Sequence, residues 1–485
     1  MAKASRLLFY ALIVWEPLPL ASNRPLLWAL NGVAAAMILA LFLLGERGKS
    51  ARSEIDWQPV ALASAAFAVV VLWMVVQALP GIPAALRHPA WSAVAGAAGA
   101  ISISPSDTWT TLAEILPIVL AGILAARLGM DRRRARFLVS LVVAVTAAVA
   151  AYGLLADAAG FPQVFLVDTV AYPGAVTGTF IGRNAAATYF VIGIACATAM
   201  VAGRAEAITT RADAPERHWS LSAIDVARGS AFYLLADFIL AAALLNTGSR
   251  GGTIAAAIAL IAVILLSLWR TSGSRATLAA TIVATLGAAF IVVAVFSDFL
   301  LARLARGLGT EDRLAAYADT LDMIRDRPLL GQGGGTFIDA FPLYHLRATS
   351  LYLWDRAHDT YLQAAAELGL PAFAVLVAGL VVLVVAVVRG ALRKGETHPA
   401  AVAAVAVAAA TAFHSLVDFS LQVQAVGLTA AVVMGAGLGE SVRRAKAGRS
   451  RRTPTTAAIA ASVNHRETIN VTIPTAAGKS ATAAS

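Results

Sequence analysis

The sequence predicts an all-α polytopic membrane protein, a bundle of about twelve transmembrane helices. Three observations carry this. Hydrophobic residues make up 59% of the 485 and charged residues 14%, whereas a soluble domain is roughly 45–50% apolar and about 25% charged. Mean hydropathy is +0.75. The apolar residues gather into runs of about 17–25, the length at which a helix crosses the hydrocarbon core. A water-soluble enzyme and a disordered chain are both excluded.

The first run, 7–22, needs care. Lys3 and Arg6 precede LLFYALIVW, and LAS ends at Ser22, which is similar to a secretory signal. Glu16, Pro17 and Pro19 are unusual before a cleavage site, and another apolar run begins at Pro25, so this run is expected to be a retained helix. The further spans are expected near 26–45, 60–79, 109–126, 137–156, 185–203, 231–247, 251–269, 278–297, 370–388, 400–418 and 424–440. Charge orients them. Arg47, Lys49 and Arg52, then Arg127, Arg132, Arg133, Arg134 and Arg136, then Arg204, Arg211, Arg217 and Arg228 all fall on alternate connections. So do Arg270, Arg275, Arg389, Arg393 and Lys394, together with Lys3, Arg6 and the cluster from Arg443 to Arg452. The other set of short loops has only Arg24, Arg87, Arg183 and Arg250. By the positive-inside rule both termini are cytoplasmic.

The organisation expected is therefore transmembrane helices 1–9 over 1–297, an outward cap over 298–369, helices 10–12 over 370–440, and a disordered basic cytoplasmic tail over 441–485. Within the cap, RLAAYADTLDMIRDRPLL reads as an amphipathic helix with Leu314, Tyr317, Leu321 and Ile324 on its apolar face. Pro328 and GQGGG end it, and a second helix starts near Asp355 and runs into the tenth span. The net charge of +10 follows from the cytoplasmic arginines, and no basic groove with interleaved aromatics points to nucleic acid. The lone Cys196 sits in an apolar run as a small core residue. GQGGG lacks the lysine of a phosphate loop, and no residue spacing calls for a metal or cofactor.

Four polar residues on the outward side stand out: Arg183 in GTFIGRNAA, Arg250 in NTGSRGG, Arg313 opening the cap helix, and His358 in DRAHDTYLQAAAELG. A guanidinium at a membrane boundary is costly unless hydrated or paired. It either snorkels to head groups or clamps an anion, since arginine makes bidentate bonds to phosphate and keeps its proton. Gly248, Gly251 and Gly252 beside Arg250 let a bulky ligand approach. Imidazole suits a general base, and Asp355 and Asp359 either orient it or cap its helix. Asn184, Ser249 and Tyr317 neighbour these groups. His414 and Asp418, four apart, are expected on one face near the outer end of the eleventh span. Glu114 and Asp237 fall in or near spans without an assigned role.

The segments VTGTFIGRNAAATYF (176–190), NTGSRGGTIAA (246–256), DRLAAYADTLDMIRDRPLLGQGGGTF (312–337) and AHDTYLQAAAELGLPA (357–372), with HSLVDFSLQ (414–422) more weakly, carry a resemblance. In order and topology the chain resembles the O-antigen ligase and O-antigen polymerase superfamily of bacterial membrane glycosyltransferases, over roughly 60–440. The resemblance implies a bundle of about a dozen helices with a periplasmic loop between late spans. It implies a glycan donor on undecaprenyl diphosphate in the inner membrane, and as acceptor lipid A-core or a second lipid-linked glycan. Diphosphate contacts then fall on Arg183 and Arg250, and acceptor activation on His358; Arg313, read from its own place opening the cap helix, is either an exposed helix charge or a further phosphate or sugar contact. Asp359 follows that histidine where the family usually has Asn, Ser or Gln, which suits a polymerase-like member. A lipid-linked sugar transporter or flippase is the reading from another class, but it needs charges lining a path through the bilayer.

Overall fold

The computed structural model describes residues 1–46, 55–96, 98–161, 163–164, 167–168, 172–211, 219–270, 311–347, 354–394 and 397–443. The span expected over 278–297, the start of the cap, Arg47, Lys49, Arg52, Arg217 and Arg275, and residues 444–485 lie outside these.

The described chain is a helical bundle. In order its helices are α1 (Ala2–Trp15), α2 (Pro25–Glu46), α3 (Gln58–Ala78), α4 (Pro105–Gly129), α5 (Arg132–Ala158), α6 (Arg183–Arg211), α7 (Trp219–Thr247) and α8 (Arg250–Arg270). They continue as α9 (Glu311–Asp326), α10 (Phe337–Ala340), α11 (Thr360–Leu368), α12 (Leu370–Ala391), α13 (Pro399–His414) and α14 (Gln424–Val442). Among the described residues nine are long and apolar enough to cross a bilayer: α2 to α8, α12 and α14. A small antiparallel hairpin, β1 (Gln163–Val164) and β2 (Val167–Asp168), follows α5.

Local chemistry sets the helix ends. Proline opens α2, α4 and α13, where its missing N–H would be unpaired anyway. Asp131 caps α5, its Oδ1 accepting from the N–H groups of Arg133 (2.9 Å) and Arg134 (3.1 Å). Three expectations are corrected. The first span, expected over 7–22, stops at Trp15, because Pro17 and Pro19 follow and Leu20, Ala21 and Ser22 all take left-handed backbone. The eleventh span, expected over 400–418, ends at His414, so Asp418 lies beyond the helix rather than on one face with His414. The second cap helix does not run into the tenth span: Gly369 (φ 78°) separates α11 from α12.

Burial grades the bundle. The most apolar stretch of α6 is 94% buried and that of α14 is 89% buried, against 17% for α3 and α12. α6 and α14 are central, and small residues seat them. A Cβ added to Gly435 or Gly439 of α14 would strike the backbone of Gly122, Ala126 and Gly129 on α4. One added to Gly437 would strike Ala404 on α13. Close backbone approach through small residues is how helices associate where there is no water to expel.

The ends of α3, α6, α8, α11 and α13 that carry polar residues meet at one end of the bundle. There the described residues of 79–104 and of 311–369 form a cap. Gln77, fully buried, donates from Nε2 to the carbonyls of Leu330 (2.8 Å) and Glu367 (3.0 Å) and accepts from Gly334 N–H (3.1 Å). Ile103 N–H donates to Gln332 carbonyl, and Gln332 N–H to Ala366 carbonyl, both at 2.9 Å. Arg327 reaches the carbonyls of Gly331 (2.9 Å), Arg87 (3.1 Å) and Leu86 (3.3 Å). GQGGG is thus a structural crossing inside the cap. Gly331, Gly333 and Gly335 hold positive φ there, and a Cβ at any of them would collide with Glu367, Ser102 or Thr111.

The helix α9 turns the expected way only in part. Leu314 is 63% exposed and Leu321 39%, whereas Ala316, Asp319, Thr320 and Met323 are fully buried. Asp319 is accommodated by Arg347, whose guanidinium lies 2.7 Å from Oδ1. Met323 and Ala316 pack with Phe337 and Phe341. Arg347, 28 residues further along the chain, pairs with Asp319 on that inward face.

Candidate functional site

His358 precedes the cap residue of α11. Asp359 Oδ1 accepts from the N–H groups of Tyr361 and Leu362, both at 2.9 Å, which starts the helix and leaves His358 outside it. His358 takes φ 55°, the left-handed region, at a cost of about 1–2 kcal/mol for an L residue. Its surroundings hold that conformation. Tyr317 on α9 donates its hydroxyl to the His358 carbonyl at 3.0 Å. Thr360 N–H donates to Ser415 carbonyl (2.8 Å) and Thr360 Oγ1 to Asp418 carbonyl (2.9 Å). The imidazole stands edge-on between Trp354 and Phe419, with ring centroids 5.5 and 5.1 Å apart.

The carboxylate facing that ring is Asp418, on the turn between α13 and α14. Its Oδ1 lies 3.8 Å from His358 Nδ1, an ion-pair distance rather than a hydrogen bond. Asp418 is 2% exposed. Its Oδ1 accepts from Asn184 Nδ2 at 2.8 Å, and Oδ2 accepts from Ser420 Oγ. Burial pushes the carboxyl upward, but His358, Ser420, His414 and Asn184 together outweigh it and hold Asp418 below the usual carboxylate range. The two aspartates next to the histidine in sequence do other things: Asp359 caps α11 and Asp355 is exposed. Burial pushes the Asp359 carboxyl up, against the backbone donors it holds.

Asn184 links this turn to the arginines. It is the second residue of α6, directly after Arg183. The Arg183 guanidinium carbon lies 5.5 Å from the centre of the half-exposed Tyr172 ring. Arg250 heads α8. Ser249 supports that helix start, its Oγ accepting from Gly252 N–H at 3.2 Å. His414, at the end of α13, joins the two helix starts: Nδ1 pairs with Thr188 Oγ1 of α6 at 2.5 Å. A Cβ added to Gly251 of α8 would come within 2.7 Å of its Nε2. Two helix N-termini, each headed by an arginine, therefore sit at the end of the bundle that carries His358. The helix dipoles and guanidinium charge there favour an anion.

Arg313 lies one turn before Tyr317 on α9, half-buried. Burial, then Asp359, pushes the Tyr317 phenol up, while Arg313 pulls it down. The structure thus gathers His358, Tyr317, Asp418, Asn184 and His414 into one linked set. Of the expected supporting groups, Asp355 and Asp359 are not directed at the ring. Sequence reasoning missed Trp354, Phe419, Ser420 and Thr188, none of which belongs to a recognisable spacing, and it also missed Gln77 and Gln332. Glu114, left unassigned, is buried in α4 beside the carboxamide of Gln424, whose Nε2 donates to Glu114 carbonyl at 3.3 Å. Among the described residues no group of His, Cys, Asp and Glu is placed to hold a metal ion.

Residues 235–377 match the family model described as O-antigen ligase. That stretch holds Arg250, Arg313 and His358; Arg183, Asn184, His414 and Asp418 reach the same end of the bundle from outside it. No curated protein matches the chain. The match supports placing the chain in the O-antigen ligase superfamily. The match lends general support to a ligase- or polymerase-like function, and the nine described apolar helices support a multi-pass membrane protein.

Proposed function

We propose that the chain transfers a glycan from undecaprenyl diphosphate to an acceptor hydroxyl at the periplasmic face of the inner membrane, with lipid A-core as the acceptor. The observation that supports this most is the gathering of His358, Asp418 and Asn184 beside α6 and α8, each headed by an arginine. The charge asymmetry of the loops supports a periplasmic location for that end.

In this reading the acceptor oxygen attacks the anomeric carbon while its proton passes to His358 Nε2, since Nδ1 is turned to Asp418. A new carbon–oxygen bond forms, and the bond from the anomeric carbon to the diphosphate oxygen breaks. The electron pair leaves with the diphosphate, whose growing charge Arg183 and Arg250 meet. Arg313 extends the cationic rim beside Tyr317. The step is a single displacement, so anomeric configuration inverts. The donor is already activated, so no nucleotide sugar, ATP or metal enters the step. Asp418 orients the ring and balances the imidazolium formed.

The test is transfer in vitro from a defined lipid-linked donor. Purified protein should elongate lipid A-core, and His358→Ala should lose transfer while keeping its membrane insertion. Products on a second lipid-linked repeat, with none on lipid A-core, would make the chain a polymerase. Movement of the donor across a vesicle membrane without new glycosidic bonds would overturn the reading.

A further inference from the structure

Beyond the reacting centre, a cleft opens beside Arg183. It is lined by Gly153 and Asp157 at the end of α5, Phe161, and Tyr172, Gly174 and Thr177 on the loop leading to α6. It is an open groove with about 100 Å³ of accessible space, below the ~300–1,000 Å³ of sites that bury a whole small molecule, so it covers only part of a ligand. Its construction is specific. Val176 N–H donates to Asn246 carbonyl at 3.0 Å, which pins the loop to the end of α7. A Cβ on Gly153 would strike Gly178 N at 2.8 Å, so the loop lies directly on α5. At Gly174 (φ 71°) an added Cβ would meet nothing within 4 Å, which keeps the mouth open.

The lining carries two exposed rings and one carboxylate. Phe161 is 68% exposed and Tyr172 43%, while Asp157 is exposed at the rim. A sugar ring has apolar C–H faces and a hydroxyl edge. Aromatic faces cover the former, and carboxylate oxygens accept from the latter. Asp157 repels the phosphate of a lipid head group, so rings anchored in the bilayer surface fit this site less well than a neutral saccharide. Tyr172 also contacts the Arg183 guanidinium. One aromatic ring therefore separates the cleft from a group proposed to bind diphosphate.

We infer that this cleft is a saccharide subsite, seating one sugar ring of the lipid-linked glycan while its diphosphate lies at Arg183. The inference rests on the glycan-transfer reading for the identity of the sugar. Its test does not rest on turnover.

The probe is the host bacterium's own surface polysaccharide, released by mild acid and cut to oligosaccharides of a few sugars. Binding to the full-length protein in nanodiscs is read by saturation-transfer NMR and titration. The wild type should bind. Phe161→Ala and Asp157→Asn should each weaken binding roughly five- to tenfold, the scale of one lost aromatic or polar contact. Phe161→Tyr, which keeps a ring, should restore it. Thermal unfolding of each variant checks that the fold is intact. No binding by the wild type, or equal binding by well-folded Phe161→Ala and Asp157→Asn, overturns the inference. So does binding that follows loss of membrane insertion and not the substitution. Transfer from a single-repeat donor is measured in parallel: if it is absent while the oligosaccharide binds, the transfer reading fails and the subsite stands.

Discussion

The centre of the bundle and its polar end are built on opposite principles. Around α6 and α14 the contacts are mostly alanine and glycine against backbone, with charge confined to a few buried groups such as Glu16, Glu114, Glu440 and the Arg270–Glu206 pair. In the cap the contacts are hydrogen bonds and ion pairs, with buried Gln77, Gln332, Asp319 and Glu367 each satisfied by several partners. A bilayer explains the difference. Lipid tails are as apolar as leucine, so helices in them associate by fit. The cap is held in register by directional bonds. The groups proposed to react lie where the two meet, at or beside helix starts and within reach of a polar substrate.

This contrast makes the two regions separable by substitution. The largest effect is expected at His358: His358→Ala should lower transfer by about 10³-fold or more, with loss of the general base, and leave thermal unfolding close to wild type. Arg250→Ala should cost on the order of 10²–10³ in kcat, the scale of one lost transition-state donor. A parallel fall in Tm would assign Arg250 to packing. Asp418→Asn, acting through His358, should reduce kcat about 10- to 100-fold while donor KM stays unchanged; a rise in KM alone would make Asp418 a binding group. In the bundle the pattern should invert. Gly439→Ala forces α14 off α4 and should cost ~1–3 kcal/mol, lowering Tm and activity together.

The smallest effects concern acid and base. Glu367 Oε2 accepts from Gly335 N–H at 2.8 Å and Oε1 from Phe337 N–H at 3.2 Å. Glu367→Gln should cost about 1–3 kcal/mol, because a buried donor is left unpaired. Burial, opposed by these donors, pushes the Glu367 carboxyl up, whereas Asp418 is held low. The signs are opposite. The stability Asp418 contributes is complete above its unfolded value of about 4 and is lost as pH falls through its lowered folded value. That of Glu367 is present below about 4.3 and is lost as pH rises through its raised folded value. Melting curves from acid to neutral pH should therefore lose their acid decline in Asp418→Asn and their decline toward neutrality in Glu367→Gln.

The spans were legible because hydropathy is a local property: α2, α8 and α14 begin within a residue of expectation. Arg250 and His358 stood out as polar residues at apolar borders. Other features depend on pairings far apart in the chain. Asn184 reaches Asp418 across 234 positions, and no spacing signals such a bond. The end of α13 at His414 was hidden because Leu416 and Val417 follow within three residues and read as more of the apolar run. The outward turn of Leu314 was hidden because the partners of the inward face, Phe337, Phe341 and Arg347, lie beyond a proline and a glycine-rich crossing.

Gln77 and the GQGGG crossing also bear on how such proteins can be recombined. Arg327, Leu330, Gln332, Gly334 and Glu367 share main-chain and side-chain bonds with Gln77, Leu86, Arg87, His88 and Ile103. The unit of exchange between relatives is therefore discontinuous. A graft that carries 77–111 along with the late loop keeps its bonding partners, and one that moves the late loop alone strands them.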